Sequence, residues 1–159
     1  MAVIWSALSG GFIGTMVLAT IARGAGELGW TRMDLAFLLG TILTDNRRRA
    51  KAVGYALLFA FGMVFAIVYG ACFWAIGYSS WRLGALFGAL HAVFVCTVVV
   101  NVLLPVVHPR IGTPETAANE VALIEPPGFL MLNYGRRTFL ITLAAHVAYG
   151  AIVGWAVRF

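Results

Sequence analysis

Charge is what this chain lacks most. Of 159 residues, 11 are Lys or Arg and 6 are Asp or Glu, so 11% are charged against 62% hydrophobic. Soluble domains carry about 25% charged residues. The shortage is also positional: no Asp, Glu, Lys or Arg falls within residues 2–22, 52–78, 83–107 or 138–157. That excludes the usual small proton-coupled transporter, which has a similar number of spans but relies on an intramembrane carboxylate. Cysteine is scarce as well. Cys72 and Cys96 form no CxxC pair and lie at different distances from the loop at Ser79. Neither a thiol-shuttling membrane enzyme nor a disulfide between them is expected, and both read as small buried hydrophobes. No serine or cysteine has a recognisable base or oxyanion motif, and no glycine-rich phosphate loop occurs, so a non-catalytic protein is expected.

What the chain has is long apolar runs, with a mean hydropathy of +0.93. A bilayer is crossed by about 20 apolar residues. The four uncharged segments therefore predict an all-α integral membrane protein, a four-transmembrane-helix bundle forming a single membrane domain over 1–159. The first run has no Lys or Arg before it, so it reads as a span and not as a secretory signal.

Small residues recur every fourth position in each span. Ser6, Gly10 and Gly14 form one stripe, with Ala7, Gly11, Thr15 and Ala19 beside it, predicting a wide flat contact face. Gly54, Gly62, Ala66 and Gly70 follow in the second span, and Gly84, Gly88, Ala92 and Cys96 in the third. Thr142, His146, Gly150 and Gly154 complete the set in the fourth. Such edges let helix backbones approach closely. Stripes on all four helices exceed the needs of a minimal bundle, so a face directed at another protein is expected. Tyr78 to Trp81 is a short connection, which makes the second and third spans antiparallel neighbours. Pro105 implies a kink or an end to the third, and Asn101 an interhelical hydrogen bond.

Two long loops separate the spans. In Arg23 to Lys51, Thr31-Arg32-Met33-Asp34 has the spacing of a capping box. The apolar run Leu35–Thr44 is too short to cross and predicts an interfacial, re-entrant or buried helix. Asp45-Asn46 offers an N-cap for the next helix, whose first turns carry Arg47, Arg48, Arg49 and Lys51 against the helix dipole. Phospholipid headgroups are their expected partners. In the second loop, Thr113-Pro114-Glu115 predicts a short surface helix to Ile124 with Ala117 and Val121 on one side. Pro126-Pro127-Gly128 stops it, and His108 before Pro109 reads as a capping or interfacial residue.

Nine of the eleven basic residues fall in these two loops, leaving Arg82 and Arg158 on the other side. The positive-inside bias then puts both long loops in the cytoplasm and both termini outside, in a bacterial cytoplasmic (inner) membrane. The net charge of +5 thus belongs to span flanks, and no nucleic-acid partner is expected. The halves also echo each other, since the spacing from Arg49 to Gly62 and Ala66 recurs from Arg137 to Gly150 and Gly154.

His91 and His146 are the sharpest candidates for chemistry. At 1.5 Å per residue, His91 lies about 14 Å past Arg82 and His146 about 18 Å before Arg158, so the two share a depth on different helices. Imidazoles so placed can ligate haem iron or a bacteriochlorophyll magnesium. They can equally be two buried side chains, each hydrogen-bonded to a carbonyl or threonine. Gly10 to Thr15, His108-Pro109, and His146 with Gly150 and Gly154 resemble motifs of small bacterial four-span membrane proteins. That resemblance implies the same fold and no particular activity. The leading expectation is a non-catalytic accessory or anchoring subunit of a larger, possibly energy-transducing, membrane complex, with lipid and other membrane subunits as partners. A haem b or bacteriochlorophyll carrier ligated by His91 and His146 comes next, and a small channel or transporter third.

Overall fold

The computed structural model describes residues 2–111 and 124–158, and every regular element among them is helical. Four helices are long and apolar enough to cross a membrane. They are α1 (Ala2–Glu27), α3 (Arg47–Ile76), the rod Trp81–Val107 and α6 (Thr138–Ala156). The rod comprises α4 (Trp81–Phe94), a π-wound stretch Val95–Leu103 and α5 (Leu104–Val107). A shorter helix, α2 (Leu35–Leu43), lies between α1 and α3. The predicted helix from Thr113 falls outside the described residues, apart from Ile124, which bridges to Ile111.

Helix ends follow local chemistry. Charged residues extend two rods past their apolar runs: α1 continues to Glu27, which Arg23 meets at 2.8 Å one turn earlier. α3 begins at Arg47 because the Asn46 side chain accepts from the amides of Arg48 and Arg49, at 3.0 and 3.2 Å. The capping box does not form. Asp34 alone caps α2, accepting from the Phe37 amide at 3.0 Å. Thr31 is buried, and its hydroxyl instead meets that of Thr138 at 2.7 Å, tying the first loop to the start of α6. A buried hydroxyl left without such a partner would be costly.

Packing order around the bundle is α4, α6, α1, α3. Between α4 and α6 the backbones touch: a Cβ on Gly84 would fall on the Gly150 carbonyl oxygen, and one on Gly88 on that of His146. The stripes on α1 do not form one flat face. Gly10 and Gly14 lie against Val153 and Tyr149 of α6, while Gly11 meets Ala66 of α3. Gly62 in turn makes room for the Thr15 hydroxyl. Each half of the chain thus joins its own two spans through glycines on both. α2 runs antiparallel along the first turns of α3, with Gly40 against the Ala50 carbonyl and Gly54 against that of Ala36.

α3 and α4 are consecutive and antiparallel, yet their contact is of another kind. Large rings hold them apart: Phe73 stacks on Phe87 with centroids 5.2 Å apart, and Tyr69 meets Phe87 edge-on at 5.6 Å. The bundle therefore has one wide seam, filled with aromatics. Its outer surface is a belt of exposed apolar side chains, among them Trp5, Trp74, Leu90 and Trp155.

The third rod changes winding before its proline. In an α-helix the Pro105 ring would crowd the carbonyl of Asn101, and the wider turns of Val95–Leu103 relieve that clash. Among the described residues, Asn101 makes no interhelical bond. Its Nδ2 donates back to the carbonyls of Thr97 (2.8 Å) and Cys96 (3.2 Å) on its own rod. Past Gly128, Phe129–Tyr134 forms a 3₁₀ turn in which Leu130 and Met131 have φ of 53° and 57°. Left-handed backbone costs such residues roughly 1–2 kcal/mol each. Burial of Met131 with Met33, Cys96 and Val100 offsets it.

Candidate functional site

Glycine contacts set the site. Gly88 brings α4 onto the backbone of α6, and His91, one turn further on, then faces His146 across a gap too narrow for another side chain. The two imidazoles meet edge to face, with centroids 5.0 Å apart and planes at 83°. Phe65 of α3 covers the other side of the His91 ring at 4.0 Å. The Tyr69 hydroxyl lies 3.3 Å from His91 Nδ1. His146 Nδ1 lies 2.8 Å from the Thr142 carbonyl one turn earlier. Tyr149 packs edge-on to Tyr69 at 5.7 Å and donates its hydroxyl to the Gly62 carbonyl at 2.6 Å.

These contacts assign protons. A ring nitrogen facing a carbonyl oxygen must carry the hydrogen, so His146 is an Nδ1–H tautomer whose Nε2 keeps its lone pair. Tyr69 can either donate to His91 or accept from it, leaving Nε2 of His91 as a donor or as a lone pair respectively. Neither Nε2 makes a hydrogen bond among the described residues. No fully enclosed side-chain nitrogen among those residues lacks a partner. The free nitrogens are therefore not fully enclosed, and His91 is only half-buried whereas His146 is buried.

The arrangement brings together His91 and His146, and adds Tyr69 and Tyr149, which the sequence reading missed. A signal existed: each tyrosine stands mid-span and would need a partner for its hydroxyl. A macrocycle does not fit between the two rings as they stand, since they are already in contact. Among the described residues, no three His, Cys, Asp or Glu side chains gather as a metal site.

The other candidate residues are spread more widely. Gly10, Gly14, Gly62, Ala66, Gly84, Gly88, Gly150 and Gly154 all lie in helix contacts inside the chain. Among the described residues, Gly24, Gly26, Gly29 and Gly77, near helix ends, and Gly135, just before α6, have room for a Cβ. Arg47, Arg48, Arg49 and Lys51 are exposed at the start of α3. Lys51 pairs with Asp34 at 2.8 Å, and the Arg47 guanidinium lies over the Phe37 ring.

His108 caps the end of α5, as one of its two readings had it, and its side chain is buried. Its Nε2 lies 3.1 Å from the Leu38 carbonyl and 3.2 Å from the Thr41 hydroxyl, and its Nδ1 accepts from the Arg110 amide. Burial first, and then the Arg110 charge, hold its pKa below the ordinary histidine value. Tyr134 donates to the Glu125 carbonyl at 2.6 Å, and burial pushes its hydroxyl up to about 12.

No family of known proteins, no curated sequence and no solved structure matches this chain. Function must be argued from these residues.

Proposed function

We propose that this chain is a multi-pass protein of a bacterial cytoplasmic membrane, with both long loops inside and both termini outside. It serves there as a non-catalytic accessory or anchoring subunit of a larger membrane assembly. One observation carries this: Nε2 of His91 is unpartnered on a half-buried ring, mid-span, at the wide seam between α3 and α4. Hydrocarbon offers a polar nitrogen nothing, so an acceptor from a neighbouring subunit is the economical complement. With Tyr69 as the donor to Nδ1, one of the two directions open to that bond, His91 presents Nε2–H outward. Nine basic residues on the side of the long loops support the orientation.

A photocrosslinker in place of Phe94, exposed one turn beyond His91, tests the proposal in native membranes. A discrete heteromeric adduct is expected, and its yield should fall in His91→Phe. Adducts with lipid alone would overturn the subunit assignment.

The His146 tautomer favours a second function, a haem or bacteriochlorophyll carrier. A ligating histidine commonly donates its other nitrogen to a carbonyl, as His146 does to Thr142. Here the seam would have to open to admit the macrocycle. Visible absorbance that disappears in His146→Ala supports the carrier, and a colourless protein purified from native membranes eliminates it.

A further inference from the structure

A cavity of about 330 Å³ opens where α1 ends, α2 begins and α3 starts. Its inner wall is apolar, from Ala19, Ala22, Ala36 and Leu58. Its rim is charged, from Arg23, Glu27, Arg32, Asp34 and Lys51, with Tyr55 beside them. Arg23 is the first charge after the apolar run of α1, and Lys51 the last before that of α3. The rim thus lies where two hydrophobic runs stop, and the inner wall where they are under way. A volume of this size is at the lower end for ligand pockets, about 300–1,000 Å³.

That division of polarity suits an amphiphile, and the signs of charge choose its headgroup. Arg23 meets Glu27 at 2.8 Å and Lys51 meets Asp34 at 2.8 Å, so cation and carboxylate stand side by side twice. Arg32 is held by Glu125 at 3.2 Å and by the Asn133 carbonyl. A purely anionic headgroup would face Glu27 and Asp34 as like charges. A zwitterion with a phosphate and a primary ammonium can set each group against its opposite. Three N–H donors of that ammonium match carboxylate acceptors, whereas a quaternary ammonium has none.

We propose that this cavity binds a phospholipid of the phosphatidylethanolamine type. The phosphate lies toward Arg23 and Lys51, the ammonium toward Glu27 and Asp34, and one acyl chain passes Ala22 and Leu58. The site is separate from the histidine pair and stands whether or not a partner subunit exists.

The test uses the whole protein in detergent, titrated with phosphatidylethanolamine, phosphatidylcholine and phosphatidylglycerol of matched chains. Retained lipid is counted by native mass spectrometry. Ethanolamine lipid is expected to be held about tenfold better than choline lipid, as loss of one charge-assisted hydrogen bond implies. Glu27→Gln should bring that preference toward parity, whereas Lys51→Gln should weaken retention of ethanolamine and choline lipid alike, and both side chains are more than half exposed, so the fold is kept. Arg82→Gln, at the opposite end, should leave preference and retention unchanged. Chain-free glycerophosphoethanolamine should not compete. Equal retention of the three lipids, preference for phosphatidylglycerol, or full preference in Glu27→Gln would overturn the proposal.

Discussion

Gly84 and Gly150 each occupy the only space the other's helix leaves: a Cβ on either would fall on the carbonyl oxygen of its partner. Backbone, unlike a flexible side chain, cannot step aside. Gly150→Ala should therefore push α4 from α6 and cost about 1–3 kcal/mol, as overpacked sites do. Gly24, with nothing within 4 Å of a built Cβ, is the contrast, and Gly24→Ala should gain about 0.5–1 kcal/mol. Thermal unfolding in one detergent, with both variants compared to the parent, checks the pair. Equal effects would mean that the α4–α6 contact is looser than it stands here.

The Thr31–Thr138 hydroxyl pair predicts non-additivity. Thr31→Val leaves the Thr138 hydroxyl buried without its partner, and Thr138→Val does the reverse. Either should cost about 1–3 kcal/mol. The double variant should cost less than the two together by at least about 0.5 kcal/mol, measured in a mutant cycle. Strict additivity would show that the two hydroxyls do not interact.

Much of this was legible beforehand, for physical reasons that can be named. Uncharged runs of bilayer length mark the rods because burying a charge in hydrocarbon is prohibitive. Glycines at four-residue spacing mark contact edges because only they admit a neighbouring backbone. Periodicity cannot say which helix an edge meets, so the adjacent stripes of α1 read as one face and turn out to serve two partners. Depth counting put His91 and His146 at one level, but not in contact, since rotation about each helix is set by packing. The π winding was hidden because Val95–Leu103 has an ordinary apolar composition and only Pro105 hints at it. Thr31 misled for a related reason, as a local capping pattern lost to a residue more than a hundred positions away.

His108 predicts acid sensitivity. Its pKa in the folded chain lies below the ordinary value, with burial as the main cause. The folded state therefore resists protonation more than the unfolded one, which takes up its proton near pH 6.5. Stability from this residue is full above about pH 6.5 and declines as pH falls toward the folded-state value, by up to about 1.4 kcal/mol per pH unit. His108→Gln can still donate to the Leu38 carbonyl and should flatten that part of the profile. Parallel profiles for parent and variant between pH 7 and 5 would contradict this.

The tautomer of His146 can be read directly. With ¹⁵N-histidine labelling at neutral pH, its Nδ1 should show the protonated shift and one-bond coupling, and Nε2 the unprotonated shift. Thr142 donates from its hydroxyl to Met131 Sδ, so Thr142→Val leaves the carbonyl contact in place and the pattern unchanged. A signal from Nε2–H would contradict the hydrogen bond to Thr142.

The wide winding of Val95–Leu103 acts as a register shim. Wound as an ordinary α-helix at the same length, the stretch would turn through a larger angle and rotate everything beyond it. His108 would leave Thr41 and Leu38, and Ile111 would lose Ile124. A change of winding in a uniformly greasy segment, invisible to any hydropathy plot, would thereby uncouple the third rod from the first loop.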